Sequence, residues 1–144
     1  MYSIEKRVMP ACKVMYAEGR FTMATISQAG LVFDKICQYI NACGGEVLSS
    51  FMLYLGDDQT HMDVDICVVV PSLYPEAEGI KAKELGEVTG LFAVATHAGG
   101  LDSLLKTYES LFGWINGQGL TFLPEPMWEV YKPDAVEILV PVAK

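Results

Sequence analysis

Met52-Leu53-Tyr54-Leu55-Gly56-Asp57 and Glu129-Val130-Tyr131-Lys132-Pro133-Asp134 are two versions of one design, an alternating strand that runs into an acidic turn. Tyr54 and Tyr131 lie 77 residues apart, as do Asp57 and Asp134. The next strand recurs as well: Asp65-Ile66-Cys67-Val68 stands ahead of Pro71, and Glu137-Ile138-Leu139-Val140 ahead of Pro141. A helical end, Tyr39-Ile40-Asn41, returns as Trp114-Ile115-Asn116. The second half of the chain thus reads as a copy of the first. In this register Met52 corresponds to Glu129, so one copy carries a thioether where the other carries a negative charge.

Outward from these strands, each half has the order strand, helix, strand, strand. Cys12, Val14 and Tyr16 alternate between about Ala11 and Gly19, which predicts a first strand with one buried face. Phe33, Ile36, Cys37 and Ile40 recur at helical spacing between Ser27 and Ala42, and Cys43-Gly44-Gly45 supplies a stop. Strands over Glu46 to Leu55 and Met62 to Val70, joined by a polar turn, predict an antiparallel hairpin. Pro71 to Lys83 has mixed charge and no sustained period and reads as a linker. The second copy follows as a strand from Leu85 to Thr96, a helix from Asp102 to Asn116, and a hairpin of Met127 to Lys132 with Val136 to Val142. Asp102 or Ser103 is placed to cap that helix, and Gly117 with Gly119 to end it. The expectation is one α+β domain over 1–144, with repeat one at about 1–71, the linker at about 72–83 and repeat two at about 84–144.

Composition narrows the function. Eighteen acids against ten bases leave a formal charge of −8, which repels phosphate and suits a cationic or neutral partner rather than direct binding of nucleic acid. Cys12, Cys37, Cys43 and Cys67 form no CxxC pair and only His61 and His97 accompany them, so we expect buried free thiols, no metal and no cofactor. No stretch approaches the ~20 apolar residues of a membrane span, and the amino terminus has no apolar signal core, which leads us to expect a cytoplasmic protein.

Between His97 and Pro141 the motifs fall into a familiar series: His97-Ala98-Gly99-Gly100, a helix ending Gly113-Trp114-Ile115, then Pro124-Glu125-Pro126-Met127-Trp128-Glu129-Val130-Tyr131, then Val136-Glu137-Ile138-Leu139-Val140-Pro141. The chain resembles the GyrI-like family, the effector-binding domains of AraC- and MerR-type multidrug-sensing regulators, whose duplicated unit is of the SHS2 type. Gly100 and Leu101 stand where that family usually has Pro-Tyr, and Pro124-Glu125-Pro126 replaces its usual Gly-Pro opening, so the rim of the pocket is expected to differ. The resemblance implies two pseudo-symmetric repeats joined into a curved antiparallel sheet, helices packed against it, and a central groove for bulky apolar cations. It also implies that the glutamate of Glu-x-Tyr, here Glu129, sits in that groove.

Glu129 lies among apolar residues, where an uncompensated buried carboxylate would be costly. Strand alternation puts Met127, Glu129 and Tyr131 on one face and Trp128 and Val130 on the other. Either the first face is a groove floor in which Glu129 attracts a cation, or the strand is an exposed edge whose glutamate faces water. On the groove reading, Tyr54 and Tyr131 face each other across the pseudo-twofold, Tyr108 and Phe112 form a wall, and Met52 and Trp128 complete the ligand-binding set. A stripe such as Tyr108 and Phe112 is equally what a core looks like. His97 reads as a hydrogen-bonded turn residue or a proton donor, His61 as solvated, and Asp65 and Glu137 as equivalent braces of the two repeats.

The function expected first is a stand-alone binding protein for bulky apolar or aromatic cations, for drug sensing or sequestration, that reaches transcription only through a protein partner. The alternative is a hydrolase of cyclopropanoid DNA-alkylating natural products, with Glu129 orienting or deprotonating water and Tyr131 or Tyr54 donating to the oxyanion. A third is a gyrase-inhibitor-like module whose acidic surface competes with DNA for a basic protein.

Overall fold

The computed structural model describes residues 2–22, 24–57, 60–98 and 103–144. Its elements are β1 (Tyr2–Met9), β2 (Cys12–Phe21), α1 (Ala29–Ala42), β3 (Ser49–Asp57), β4 (Met62–Val70), β5 (Lys81–Leu85), β6 (Val88–His97), α2 (Leu104–Gly117), β7 (Thr121–Phe122), β8 (Met127–Tyr131) and β9 (Val136–Ala143). A single 3-10 turn, Ile26–Gln28, leads into α1. The class is α+β, one large antiparallel sheet with two helices packed on it.

The two helices end in the same way because glycine accepts a left-handed backbone at low cost. Gly44 (φ 75°) and Gly119 (φ 71°) follow the last turns. Gly45 N–H then bonds back to the Ile40 carbonyl at 2.9 Å, and Leu120 N–H to that of Ile115 at 3.3 Å. From Ala29 to Leu104 and from Gly44 to Gly119 is 75 residues in each case. At the start of α2 Ser103 holds the N-cap position without a side-chain cap bond; Asp102 lies outside the described residues.

The sheet order is β1-β6-β9-β8-β3-β4-β2-β5, with β7 paired to β9 off this path. It reads the same from either end: β6-β9-β8 meets β3-β4-β2 at the central antiparallel pair β3/β8. Here the structure corrects three expectations. The chain before Ala11 forms β1, an eight-residue strand. The end of the expected linker, with Leu85, forms β5. The strand expected from Leu85 begins at Val88, after a turn at Gly86 and Glu87. Each half is therefore strand, strand, helix, strand, strand, and the first strands are exchanged: β1 pairs with β6 of the second half, β5 with β2 of the first.

The exchange also curls the sheet. Met9 and Cys12 are three residues apart, a span of about 11 Å, yet their strands stand at the first and seventh positions of the order. One apolar cluster joins Val14 of β2 to Phe92 and Val94 of β6, through Phe51, Leu53, Cys67, Trp128 and Leu139. Five strand spacings on a flat sheet would separate β2 from β6 by roughly 24 Å, so this is the concave face. The opposite face carries both helices: α1 packs Ile36 and Ile40 on Met15, Met52, Ile66 and Val68, and α2 packs Leu111 and Ile115 on Ala93, Ala95, Ile138 and Val140.

Each exchanged strand delivers a cation to a buried acid of the other half. Lys83 of β5 meets Asp65 at 2.7 Å, and the Arg7 guanidinium of β1 grips Glu137 at 2.8 and 3.2 Å. Asp65 and Glu137 brace the two halves as their equivalent positions imply. The thiols are all free, but only Cys67 is buried as expected: Cys12 and Cys37 are half-buried, and Cys43, at the open end of α1, is exposed. Among the described residues no helix is long and apolar enough to cross a membrane.

Candidate functional site

β8 is held between β9 and β3 at the middle of the sheet, so the reading of an exposed edge strand does not hold. Its alternation turns Met127, Glu129 and Tyr131 toward the helices and Trp128 and Val130 into the concave face. Glu129 is opposite Met52 on β3, and only 2% of it is exposed.

A carboxylate removed from water to this extent needs donors. Three tyrosines supply them. Tyr54 OH donates to Oε2 at 3.1 Å, Tyr108 OH donates to the same oxygen, and Tyr131 OH donates to Oε1. β3, α2 and β8 thus each contribute one phenol. Burial first, and the Glu129 charge second, push all three phenols well above the ordinary tyrosine value, so they stay neutral donors. Among the described residues no lysine, arginine or histidine pairs with Glu129. Among the described residues the carboxylate is met by dipoles and by no counterion.

Aromatic rings close the cage. Tyr54 and Tyr108 meet edge to face at 6.2 Å, Phe33 of α1 meets Tyr131 at 5.2 Å, and Tyr108 leans on Phe112 at 5.9 Å. Rings in this arrangement offer negative faces to a cation, worth about 0.5–2 kcal/mol each. The cage lies on the helix-bearing face at the β3/β8 pair where the two halves meet, and the tyrosines themselves cover its floor.

Of the residues expected in the site, Glu129, Tyr131, Tyr54 and Tyr108 converge, Met52 lies directly beneath, and Phe112 stands one layer back, against Tyr108 and Phe122. Tyr54 and Tyr131 do not face each other: Tyr54 pairs with Met127 and Tyr131 with Ser50, and they approach opposite oxygens of one carboxylate. Trp128 is not in the cage. It faces the concave side and packs on Phe51 at 4.8 Å. Phe33 was missed, although the helix repeat pairs it with Tyr108, 75 residues on. His97 is buried, with Nδ1 2.8 Å from Thr107 Oγ1 and Nε2 3.3 Å from Ser103 Oγ, which joins β6 to the first turns of α2. That is the turn role.

Several solved structures share this fold. EcmrR superposes over 99% of this chain in its DNA complex, with a TM-score of 0.76 and 22% identity. This chain spans 58% of the length of that EcmrR chain. The isolated C-terminal domain of EcmrR matches over 100% of this chain and 99% of its own, with a TM-score of 0.74 and 21% identity. SAV2435 bound to tetraphenylphosphonium covers 99% of this chain and 94% of its own, with a TM-score of 0.60 and 14% identity. A hydrolase from Listeria innocua covers 97% and 91%, with a TM-score of 0.63 and 12% identity. At these identities the likeness is one of fold. No curated protein is similar enough in sequence to count as a relative. The model of the GyrI-like small molecule binding domain matches residues 2–143, and the chain belongs to the GyrI-like family.

Proposed function

We propose that this small-molecule-binding domain takes up lipophilic aromatic cations at Glu129, as a drug-sensing or sequestering effector domain. The observation that carries the reading is a buried carboxylate held by three neutral phenols and, among the described residues, by no positive partner. A cation entering between Tyr54, Tyr108 and Tyr131 supplies the missing charge in a setting where the attraction exceeds its value in water. Swinging phenols turn ring faces toward it. The tetraphenylphosphonium held by SAV2435, a protein of the same fold, supports this ligand class. The test is a fluorescence titration with tetraphenylphosphonium and with uncharged triphenylphosphine oxide, on wild type and Glu129→Gln. We expect saturable binding that prefers the cation and weakens about tenfold or more in the variant, the loss of one charged contact at about 1.5–3 kcal/mol. Equal affinity of wild type and variant would overturn the reading.

A second reading rests on the same atoms. Tyr131 sets a neutral phenol beside a carboxylate, the acid and base that hydrolysis of a strained ring requires. It demands that the tyrosines part far enough to admit water within about 3 Å of Glu129. Single-turnover assay of a cyclopropane-bearing alkylator, with product loss in Glu129→Gln, separates turnover from binding.

A further inference from the structure

Behind the cage, at one end of the concave face, lies a second cavity of about 490 Å³. Phe92, Leu53 and Trp128 form its floor, Pro126 and Pro141 its sides, and the β5–β6 turn at Gly86 and Glu87 its lip. The volume falls in the range of small-molecule sites, and openings of curled sheets are one of their usual positions. Glu87 and Glu125, both exposed, are the only charged residues on its lining.

Trp128 is 8% exposed and brings an indole ring, the side chain best suited to cation–π contact, to this floor.

We infer that this cleft is a second binding site, for an aromatic or alkyl cation whose apolar body rests on Trp128 and Phe92 and whose charge sits between Glu87 and Glu125. It backs directly onto the Glu129 cage: Trp128 and Glu129 are consecutive on β8, and Leu53 and Tyr54 consecutive on β3, with side chains on opposite faces. The charge of the ligand follows from the paired rim carboxylates and the absence of any cation on the lining. The ligand class is the one read for the cage; the site does not depend on that reading.

Gly86 supplies the decisive variant. A Cβ built there meets nothing within 4 Å and its backbone needs no left-handed φ, so Gly86→Trp plugs the lip without strain. Equilibrium dialysis with tetraphenylphosphonium counts sites on the wild type, Glu129→Gln, Gly86→Trp and Glu87→Gln/Glu125→Gln; quenching of Trp128 is followed in all but Gly86→Trp, in a Trp114→Phe background where it is the sole tryptophan. We expect two equivalents on the wild type, one on Glu129→Gln that still quenches Trp128, and one on Gly86→Trp. The rim double variant should weaken the quenching site about threefold to tenfold. A single equivalent that Glu129→Gln abolishes overturns the cleft and leaves the cage reading standing. A single equivalent that only Gly86→Trp abolishes supports the cleft and overturns the cage reading. Wild-type stoichiometry in Gly86→Trp, or unchanged affinity in the rim variant, also overturns the cleft.

Discussion

Met52 and Glu129 are direct cross-strand partners at the centre of the sheet, where the two halves of the chain meet. In the register of the repeats Met52 and Phe33 of the first half correspond to Glu129 and Tyr108 of the second, so one half lacks both the charge and the hydroxyl that answers it. Met52→Glu would set two carboxylates opposite each other on a buried face, where like charges are destabilising. We expect a loss of about 3 kcal/mol or more at neutral pH. The new group's folded pKa would be raised, so the penalty is absent below the unfolded value of about 4.3 and grows as pH rises above it. Adding Phe33→Tyr should return about 1 kcal/mol by supplying a phenol. Urea melts at pH 4 and pH 7 read both effects.

Tyr108 contributes to stability and, on the proposed function, competes with the entering cation. Its hydroxyl occupies an acceptor of Glu129 that an entering cation would use. Tyr108→Phe should therefore melt at lower temperature without ligand, by about 1.5–3 kcal/mol, and bind tetraphenylphosphonium more tightly than wild type. Weaker binding by this variant would mean that the phenol belongs to the bound state.

Much of this was legible in the sequence, and what escaped has a physical cause. A strand's period of two put Met127, Glu129 and Tyr131 on one face, but whether that face was a groove or an exposed edge stayed open on spacing alone, and the family resemblance is what pointed to the groove. Tyr108 could not be told from core, since a site wall and a packed helix carry the same apolar stripe. β1 and β5 were lost for another reason. Tyr2-Ser3-Ile4-Glu5-Lys6-Arg7 and Lys81-Ala82-Lys83-Glu84 look too charged for strands, and their charges become acceptable only through partners far away in sequence, Arg7 to Glu137 and Lys83 to Asp65. Local pattern carries no trace of such an exchange.

The cage should also declare itself in alkali. Tyr54, Tyr108 and Tyr131 have folded pKa values raised above the unfolded value of about 10, so the stability they contribute is complete below pH 10 and is lost as pH rises beyond it. Three protons retained by the native state and released by the unfolded one give a slope on the order of 4 kcal/mol per pH unit. Absorbance at 295 nm should show these three of the seven tyrosines ionising only as the protein unfolds. Their free titration near pH 10 in folded protein would contradict a closed cage.

The exchanged strands make a last comparison possible. Arg7 holds the Glu137 carboxyl below its ordinary value through its hydrogen bonds, so that contribution is present above about pH 4.5 and fades as pH falls through the depressed value. In Arg7→Met, Glu137 keeps Lys132 at 3.7 Å, a half-exposed cation that offsets part of the loss. Asp65 is 4% exposed, and among the described residues only Lys83 pairs with it. Removing one partner of a buried pair typically costs about 3–5 kcal/mol because the other charge is left behind. Lys83→Met should approach that figure, Arg7→Met should fall below it, and the Arg7 deficit should shrink from pH 7 toward pH 3. Calorimetry on both variants measures the ranking. Equal losses would mean that Lys132 gives Glu137 nothing once Arg7 is gone.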